Sequence, residues 1–216
     1  MFYFDNFYGN RILRSDKLNK VNAFFTLREG IDYSKLQAKR ILKPEQTHSD
    51  NIEFVDARNE YPNCDALILT NTNDAISLKF ADCTPLIFYD KKQKITAISH
   101  AGWRGTAQKI GVKTIKKMNS NPQDIIALIG PAISICCYEV SEEVRDTLLA
   151  TVNSQDGLFK NRNVNLKKIN ARQLKEFGID NIDICPFCTS CNNDLFYSYR
   201  KENGTPFRHN AIAMLI

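Results

Sequence analysis

Histidine is scarce in this sequence: His48, His100 and His209 are the only ones in 216 residues. That scarcity excludes a protein built around several imidazole-rich copper centres. One site of two histidines and a cysteine, blue-copper or zinc, stays open. Long apolar runs are also missing. Nothing approaches the roughly 18 residues of a membrane span, and mean hydropathy is −0.35. Met1 to Asn10 lacks the basic start, apolar middle and small-residue cleavage site of a secretory signal. No Pro-, Gly- or Ser-rich linker, internal repeat or low-complexity segment divides the chain. The expectation is a single domain over residues 1–216, cytoplasmic, with no membrane partner.

Cysteine, by contrast, is present seven times. An odd count in a chain this long is unlike the even framework of a small disulfide-stapled protein. The cysteines are therefore read as free thiols, metal ligands or a nucleophile. Net charge is +5, from 29 Lys and Arg against 24 Asp and Glu. The basic residues are scattered and form no stripe, which speaks against nucleic acid and suits a small anionic, phosphate-bearing ligand.

Strand-like runs come early, at Val21–Leu27, Ala66–Thr70, Ala75–Phe80, Pro85–Tyr89 and Ile95–Ser99. Ile125–Ile129, Leu195–Tyr199 and Ala211–Leu215 follow. Between Thr106 and Met118, apolar residues share one arc of a helical wheel. Ser141 reads as an N-cap followed by Glu142 and Glu143. Leu166, Ile169, Leu174 and Phe177 make a third helical stripe, ended by Gly178. Strands outnumber helices and come partly as meanders. The fold class predicted is α/β of the α+β type, with mixed β-sheets and outer helices.

Pro85–Tyr89 and Ile95–Ser99 read as a hairpin. Folding it about residue 92 sets position 84 opposite position 100, so Cys83 and His100 emerge side by side. A second hairpin, Ala66–Thr70 with Ala75–Phe80, would return Asp65 to the same rim as Asp82. A Cys beside a His is either an activated thiolate with its base or part of a metal site. His48, in the polar stretch Pro44 to Asp50, can complete a set of two imidazoles and a thiolate with one open position, the donor pattern of catalytic zinc. Packing is the plain alternative for all three. After His100, Ala101-Gly102-Trp103-Arg104-Gly105 lets backbone approach a ligand closely and adds the Arg104 guanidinium.

Gln46-Thr47-His48-Ser49, Ala81-Asp82-Cys83-Thr84-Pro85 and Ser99-His100-Ala101-Gly102-Trp103-Arg104-Gly105 resemble the laccase-domain, or multicopper polyphenol oxidase, family. Members of that family also carry the names purine nucleoside phosphorylase and peptidoglycan editing factor. Ile129-Gly130-Pro131, Cys137-Tyr138-Glu139-Val140, Cys188-Thr189 and Phe196-Tyr197-Ser198-Tyr199-Arg200 extend the resemblance over nearly the whole chain. It implies a single-domain layered α/β sandwich and a zinc held by His48, Cys83 and His100 at the catalytic centre, with copper the lesser option. It also implies phosphorolysis of adenosine, inosine and S-methyl-5′-thioadenosine, with adenosine deamination as a second activity. The partners are then a purine nucleoside and phosphate. On this reading Arg28, Arg104 and Arg208 bind substrate, and Asp65 or Asp82 orients a histidine or handles a proton. The chain departs from the family pattern at Thr26-Leu27-Arg28-Glu29-Gly30 and at Thr205-Pro206-Phe207-Arg208. A cysteine amidase editing a peptidoglycan precursor, with Cys83 as nucleophile and His100 as base, is the alternative. The older polyphenol oxidase label fits three histidines poorly.

Cys185-Pro186-Phe187-Cys188-Thr189-Ser190-Cys191 suggests by itself a second metal set, with Cys64 as fourth ligand. The family pattern accounts only for Cys188-Thr189, so no second metal is the expectation. Cys136-Cys137 is read as packing. Tyr197 and Tyr199 would share one strand face, where they pack or meet a purine.

Overall fold

The runs Ala66–Leu69, Thr84–Asp90 and Ile95–Ala101 are mostly apolar and buried along their whole length. Strands of this kind need cover on both faces, and they have it. The computed structural model describes every residue except Lys20. Its strands in chain order are β1 (Phe2–Phe7), β2 (Asn10–Ser15), β3 (Val21–Thr26), β4 (Arg40–Leu42), β5 (Ile52–Phe54), β6 (Ala66–Leu69) and β7 (Asp74–Phe80). Then follow β8 (Thr84–Asp90), β9 (Ile95–Ala101), β10 (Ile125–Ile129), β11 (Phe159–Lys160), β12 (Asn163–Val164), β13 (Ile182–Ile184) and β14 (His209–Leu215). The helices are α1 (Trp103–Ala107), α2 (Ile110–Lys117), α3 (Glu142–Leu149) and α4 (Leu166–Glu176).

Two six-stranded sheets form, ordered β1-β2-β3-β14-β7-β4 and β13-β10-β8-β9-β6-β5. Both are mixed. They are antiparallel through the middle, with parallel pairs where β4 meets β7, β5 meets β6 and β13 meets β10. The two-residue alternation of a strand divides the second sheet's side chains between two cores. Ile87 and Tyr89 of β8, with Leu67 and Leu69 of β6, face the first sheet and pack with Phe25, Ile76, Leu78 and Phe80. Leu86, Phe88 and Ile68 face outward onto Ile110, Ile115 and Leu174 of α2 and α4. The first sheet's outer face carries Phe24 and Ile212, covered by Leu36 from a 3₁₀ turn at Tyr33–Leu36. The result is one α/β domain of layered mixed sheets with outer helices, as expected. Among the described residues no helix is long and apolar enough to cross a membrane.

Four local expectations change. Ala66–Thr70 and Ala75–Phe80 are not a hairpin: β6 lies in the second sheet and β7 in the first. Both segments are buried on two faces, Lys79 of β7 excepted, so each can serve as an inner strand of its own sheet. The β8–β9 register is shifted by one, with Pro85 opposite His100 and Asp90 opposite Ile95. The Asp90 carboxylate accepts from the backbone N–H of Lys92 and Gln93, both at 2.8 Å, and this Asx-turn draws Asp90 into the ladder. The Thr106–Met118 helix is two helices broken at Lys109, where φ is +56°. Leu195–Tyr199 is a run of turns, not a strand.

Candidate functional site

Three segments meet at one end of the inter-sheet core. The chain leaves β4 in the first sheet and enters β5 in the second, and the loop between them carries His48. Ala81-Asp82-Cys83 makes the same crossing from β7 to β8. His100 sits near the end of β9. Positions that look unrelated in the sequence converge because crossing loops collect at the open ends of packed sheets.

His48, Cys83 and His100 each present a ligand atom, and these atoms lie within 4.8 Å of one another. The imidazole rings of His48 and His100 are 4.9 Å apart, edge to face. His48 has φ of +62°, in the left-handed region that non-glycine residues rarely adopt. Asp65 holds that turn in place. Its Oδ2 accepts from Thr47 N at 3.1 Å and from Ser49 N and Ser49 Oγ, both at 2.7 Å. Its Oδ1 accepts from His48 N at 3.1 Å and lies 2.7 Å from His100 Nδ1. Asp65 is fully buried. One carboxylate thus sets both the His48 loop and the tautomer of His100, leaving His100 Nε2 for the site. Asp65 reaches this place through the β6–β9 ladder, where Ala66 opposes Ser99, and not through the hairpin the sequence suggested.

Charge at the site is mutually stabilised. Burial opposes ionisation of Cys83, but His100 and His48 outweigh it and bring its pKa down to about 6. Burial likewise opposes a charged His100, yet the Cys83 thiolate and Asp65 raise its pKa to about 9. Burial would raise Asp65, but hydrogen bonds from His100 and Ser49 hold its pKa at about 2. Without a metal the centre is a carboxylate–imidazolium–thiolate row. Gly102 follows closely: a Cβ there would sit 3.0 Å from Cys83 Sγ and 3.1 Å from His48 Cδ2. A residue without a side chain at position 102 is required by the close approach of Cys83 and His48.

The trio opens onto a cavity of about 630 Å³, within the usual size of small-molecule sites. Arg208 lines it, and so do Lys79 and Arg200, which the sequence reading did not select. Lys79 had a signal: it is the one charged residue in the strand-like run Ala75–Phe80, just before Ala81-Asp82-Cys83. Tyr138 and Tyr199 add aromatic walls. Tyr197 does not join them; it stacks on Phe207 and donates to Arg28 O at 3.0 Å. Arg104 lines a smaller adjoining hollow of about 130 Å³ with Tyr138 and stacks on Trp103 at 4.4 Å.

Arg28 is placed elsewhere. Its guanidinium makes a bidentate pair with Glu202 at 3.0 and 3.2 Å, lies over Tyr197 and does not line the cavity. This corrects the expectation of an anion contact. Asp82 lines the cavity, but its carboxylate accepts from Thr189 Oγ1 at 2.6 Å and Arg200 N at 2.7 Å. Asp82 therefore ties two loops to the site and positions the Arg200 backbone. Cys64 and Cys185 are both buried, and burial pushes their thiols up to about 11 and about 12. Neither joins Cys188 and Cys191; the partners of those two are Cys136 and Cys137.

The family model described as multi-copper polyphenol oxidoreductase laccase matches residues 14–216. The chain belongs to this laccase family. The protein named purine nucleoside phosphorylase YlmD from Bacillus subtilis (strain 168) is 35% identical over 182 residues, 74% of this chain and 65% of that protein. Purine nucleoside phosphorylase CA_C1699 from Clostridium acetobutylicum is 32% identical over 209 residues, 94% of this chain and 84% of that protein. The match thus spans just under two thirds of the first relative's length and most of the second's. Among solved structures, hypothetical protein YfiH from Bacillus licheniformis aligns with a TM-score of 0.90 at 28% identity, covering 99% of both chains. YlmD from Geobacillus stearothermophilus aligns at 0.85 and 26% identity, covering 98% of both.

The family's description names several coppers, and the donors of this laccase-family chain can be tested against that. Two imidazoles and a thiolate suit one borderline-soft ion, zinc or a single copper. The third imidazole cannot build another centre beside it. His209 is fully buried against Phe196, neither ring nitrogen has a hydrogen-bond partner, and burial drives its pKa down to about 3. The histidine donors fit one metal, not a multicopper cluster.

Proposed function

We propose that this protein is a zinc-dependent purine nucleoside phosphorylase. It would take adenosine, inosine or S-methyl-5′-thioadenosine with phosphate, and deaminate adenosine as a second activity. One observation carries the reading: a two-histidine, one-cysteine donor set opens onto a cavity lined by three cations and two tyrosines. The names of the relatives support it.

In phosphorolysis a phosphate oxygen bonds to C1′ of the ribose as the bond from C1′ to the purine nitrogen breaks. His48, Cys83 and His100 would hold the zinc, which when bound supplies a Lewis-acidic charge at the cavity floor. Lys79, Arg200 and Arg208 bind the phosphate oxygens. Tyr199 offers its ring face to the purine. Burial first, and the Cys83 charge second, push the pKa of Tyr138 up, so its Oη keeps its proton and donates a hydrogen bond to the departing base. Asp65 keeps the proton of His100 on Nδ1, so Nε2 stays free to ligate. Localisation in the cytoplasm belongs to the same proposal.

A second reading has its own observation. Asp65, His100 and Cys83 line up as the orienting acid, base and thiolate of a cysteine hydrolase. Such an enzyme would cleave an amide in a cell-wall precursor without a metal. Incubating the pure protein with adenosine and phosphate, with and without a chelator, separates the readings. Adenine plus ribose 1-phosphate means phosphorolysis, and inosine means deamination; both should stop with chelator. Neither product, with chelator-resistant amide cleavage, selects the hydrolase. Cys83→Ala should lose both zinc and nucleoside turnover. Turnover by a zinc-free Cys83→Ala protein would refute the assignment.

A further inference from the structure

Four of the six cysteines outside the nucleoside site gather in one place. Cys136-Cys137 lies in the loop after β10, and Cys188-Thr189-Ser190-Cys191 in the turns after β13. The two segments run side by side, with Ala132 bridged to Cys188 and Thr189 N donating to Ala132 O at 3.2 Å. This brings the sulfurs of Cys136, Cys137, Cys188 and Cys191 within 4.8 Å of one another. Cys191 Sγ is 3.5 Å from Cys136 Sγ and 3.4 Å from Cys137 Sγ.

We propose that Cys136, Cys137, Cys188 and Cys191 form a second metal site, a structural tetrathiolate centre for zinc. In a tetrahedral Zn–S₄ group with bonds of about 2.3 Å, the sulfurs lie about 3.8 Å apart. The four thiols already stand near that spacing. Cys191 is equally close to two neighbouring thiols. One disulfide would use only one of them, whereas a shared ion uses both. Ser134 N donates to Cys188 Sγ at 3.4 Å, a backbone contact that suits a metal-bound thiolate.

Lys167 supplies a separate observation. Lys167 is 4% exposed, and its ammonium donates to Cys185 O at 2.7 Å and Phe187 O at 2.8 Å, on the backbone entering Cys188. A buried cation calls for negative charge nearby, and a zinc tetrathiolate carries a net charge of about −2 because each cysteine binds as thiolate. Cys136 and Cys191 are exposed, so an ion reaches the site directly from solvent.

The centre would act as a staple. Its two loops place Ile133 and Tyr138 in the cavity wall. They also grip Asp82, through Ile133 N to Asp82 O at 3.0 Å and Thr189 Oγ1 to Asp82 Oδ1 at 2.6 Å. The inference does not depend on which reaction the cavity performs.

The test is zinc stoichiometry. Reduced apoprotein is loaded with Zn²⁺, desalted and measured by elemental analysis, as wild type, as Cys83→Ala, and as the double variant Cys136→Ser/Cys191→Ser. The expected contents are two zinc ions per chain for wild type and one for each variant. If the histidine site binds none, wild type and Cys83→Ala hold one and the double variant none; the tetrathiolate then stands while the nucleoside-site metal falls. Equal zinc in wild type and double variant overturns the proposal. So does a Cys137–Cys191 disulfide that persists in protein kept under reductant. Circular dichroism checks the fold of the double variant. If it misfolds, peptide mapping of iodoacetamide-treated wild type decides: Zn²⁺ should shield all four cysteines, and labelling unchanged by Zn²⁺ overturns the site.

Discussion

Replacing Asp65 by asparagine changes one oxygen to an amide nitrogen and removes one charge. The consequence follows from what that carboxylate accepts. Its two oxygens take hydrogen bonds from three successive backbone N–H groups, Thr47 to Ser49, from the Ser49 hydroxyl, and face His100 Nδ1. An asparagine has one accepting oxygen. If that oxygen serves Thr47 and Ser49, the new NH₂ meets His48 N–H and His100 Nδ1. The backbone donor is then orphaned. His100 must either lose its bond or move its proton to Nε2, which closes the nitrogen that the proposed metal would use. Each buried donor without an acceptor costs about 1–3 kcal/mol, so two cost about 2–6 kcal/mol. For a domain of this size that is a fall in Tm on the order of 10 °C. Loss of such a supporting contact weakens metal binding by about 10–100-fold.

The pH dependence has a definite sign. The folded-state pKa of Asp65 is depressed to about 2 from an ordinary value of 3.8. Its contribution is complete above about pH 4 and disappears as pH falls towards 2. The difference in Tm between wild type and Asp65→Asn should therefore be constant from pH 7 to 5 and shrink below pH 4. Thermal melts across that range, with zinc affinity measured against a competing chelator at pH 7, make the test. Equal Tm and equal affinity at pH 7, or a gap that widens in acid, would refute the keystone role of Asp65.

Two further outcomes follow. Gly102→Ala adds a methyl against Cys83 Sγ and His48 Cδ2, so zinc affinity measured by chelator competition should drop about tenfold or more, the scale seen when a metal's supporting contacts are disturbed, while secondary structure by circular dichroism stays intact. Arg208→Ala should raise the KM for phosphate, whereas Arg28→Ala should leave that KM alone and lower Tm, because Arg28 is bound to Glu202 and only Arg208 reaches the cavity; steady-state kinetics with varied phosphate separate the two.

Several features were legible because they rest on local chemistry. The positions of β3, β6 to β10, β14 and α4 followed from apolar periodicity, Ser141 capped α3 by accepting from Val144 N at 3.3 Å, and Gly178 ended α4 with φ of +101°. The neighbourhood of Cys83 and His100 followed from a short hairpin, and a register error of one residue did not separate them. The misplaced features involved distant segments. Nothing local distinguishes a β6–β7 hairpin from a change of sheet, since both segments are strand-like and joined by a short turn-like stretch. Arg28 carries the same guanidinium whether it faces a phosphate or Glu202. Cys188 and Cys191 advertise a ligand pair by spacing, but their partners lie far back in the chain.

The residues alone therefore determined most of the element types, the charge balance, the exclusion of a many-histidine copper protein, and the types of side chain at the centre. Only tertiary structure decided that Asp65 governs both histidines, that Lys79, Arg200 and Arg208 rim the cavity in place of Arg28, and that four cysteines from two loops meet. The physical reason is range. Periodicity, capping and short turns are settled by neighbours in the chain, whereas ion pairs, crossing loops and ligand clusters are settled by which sheet ends come together when the core closes.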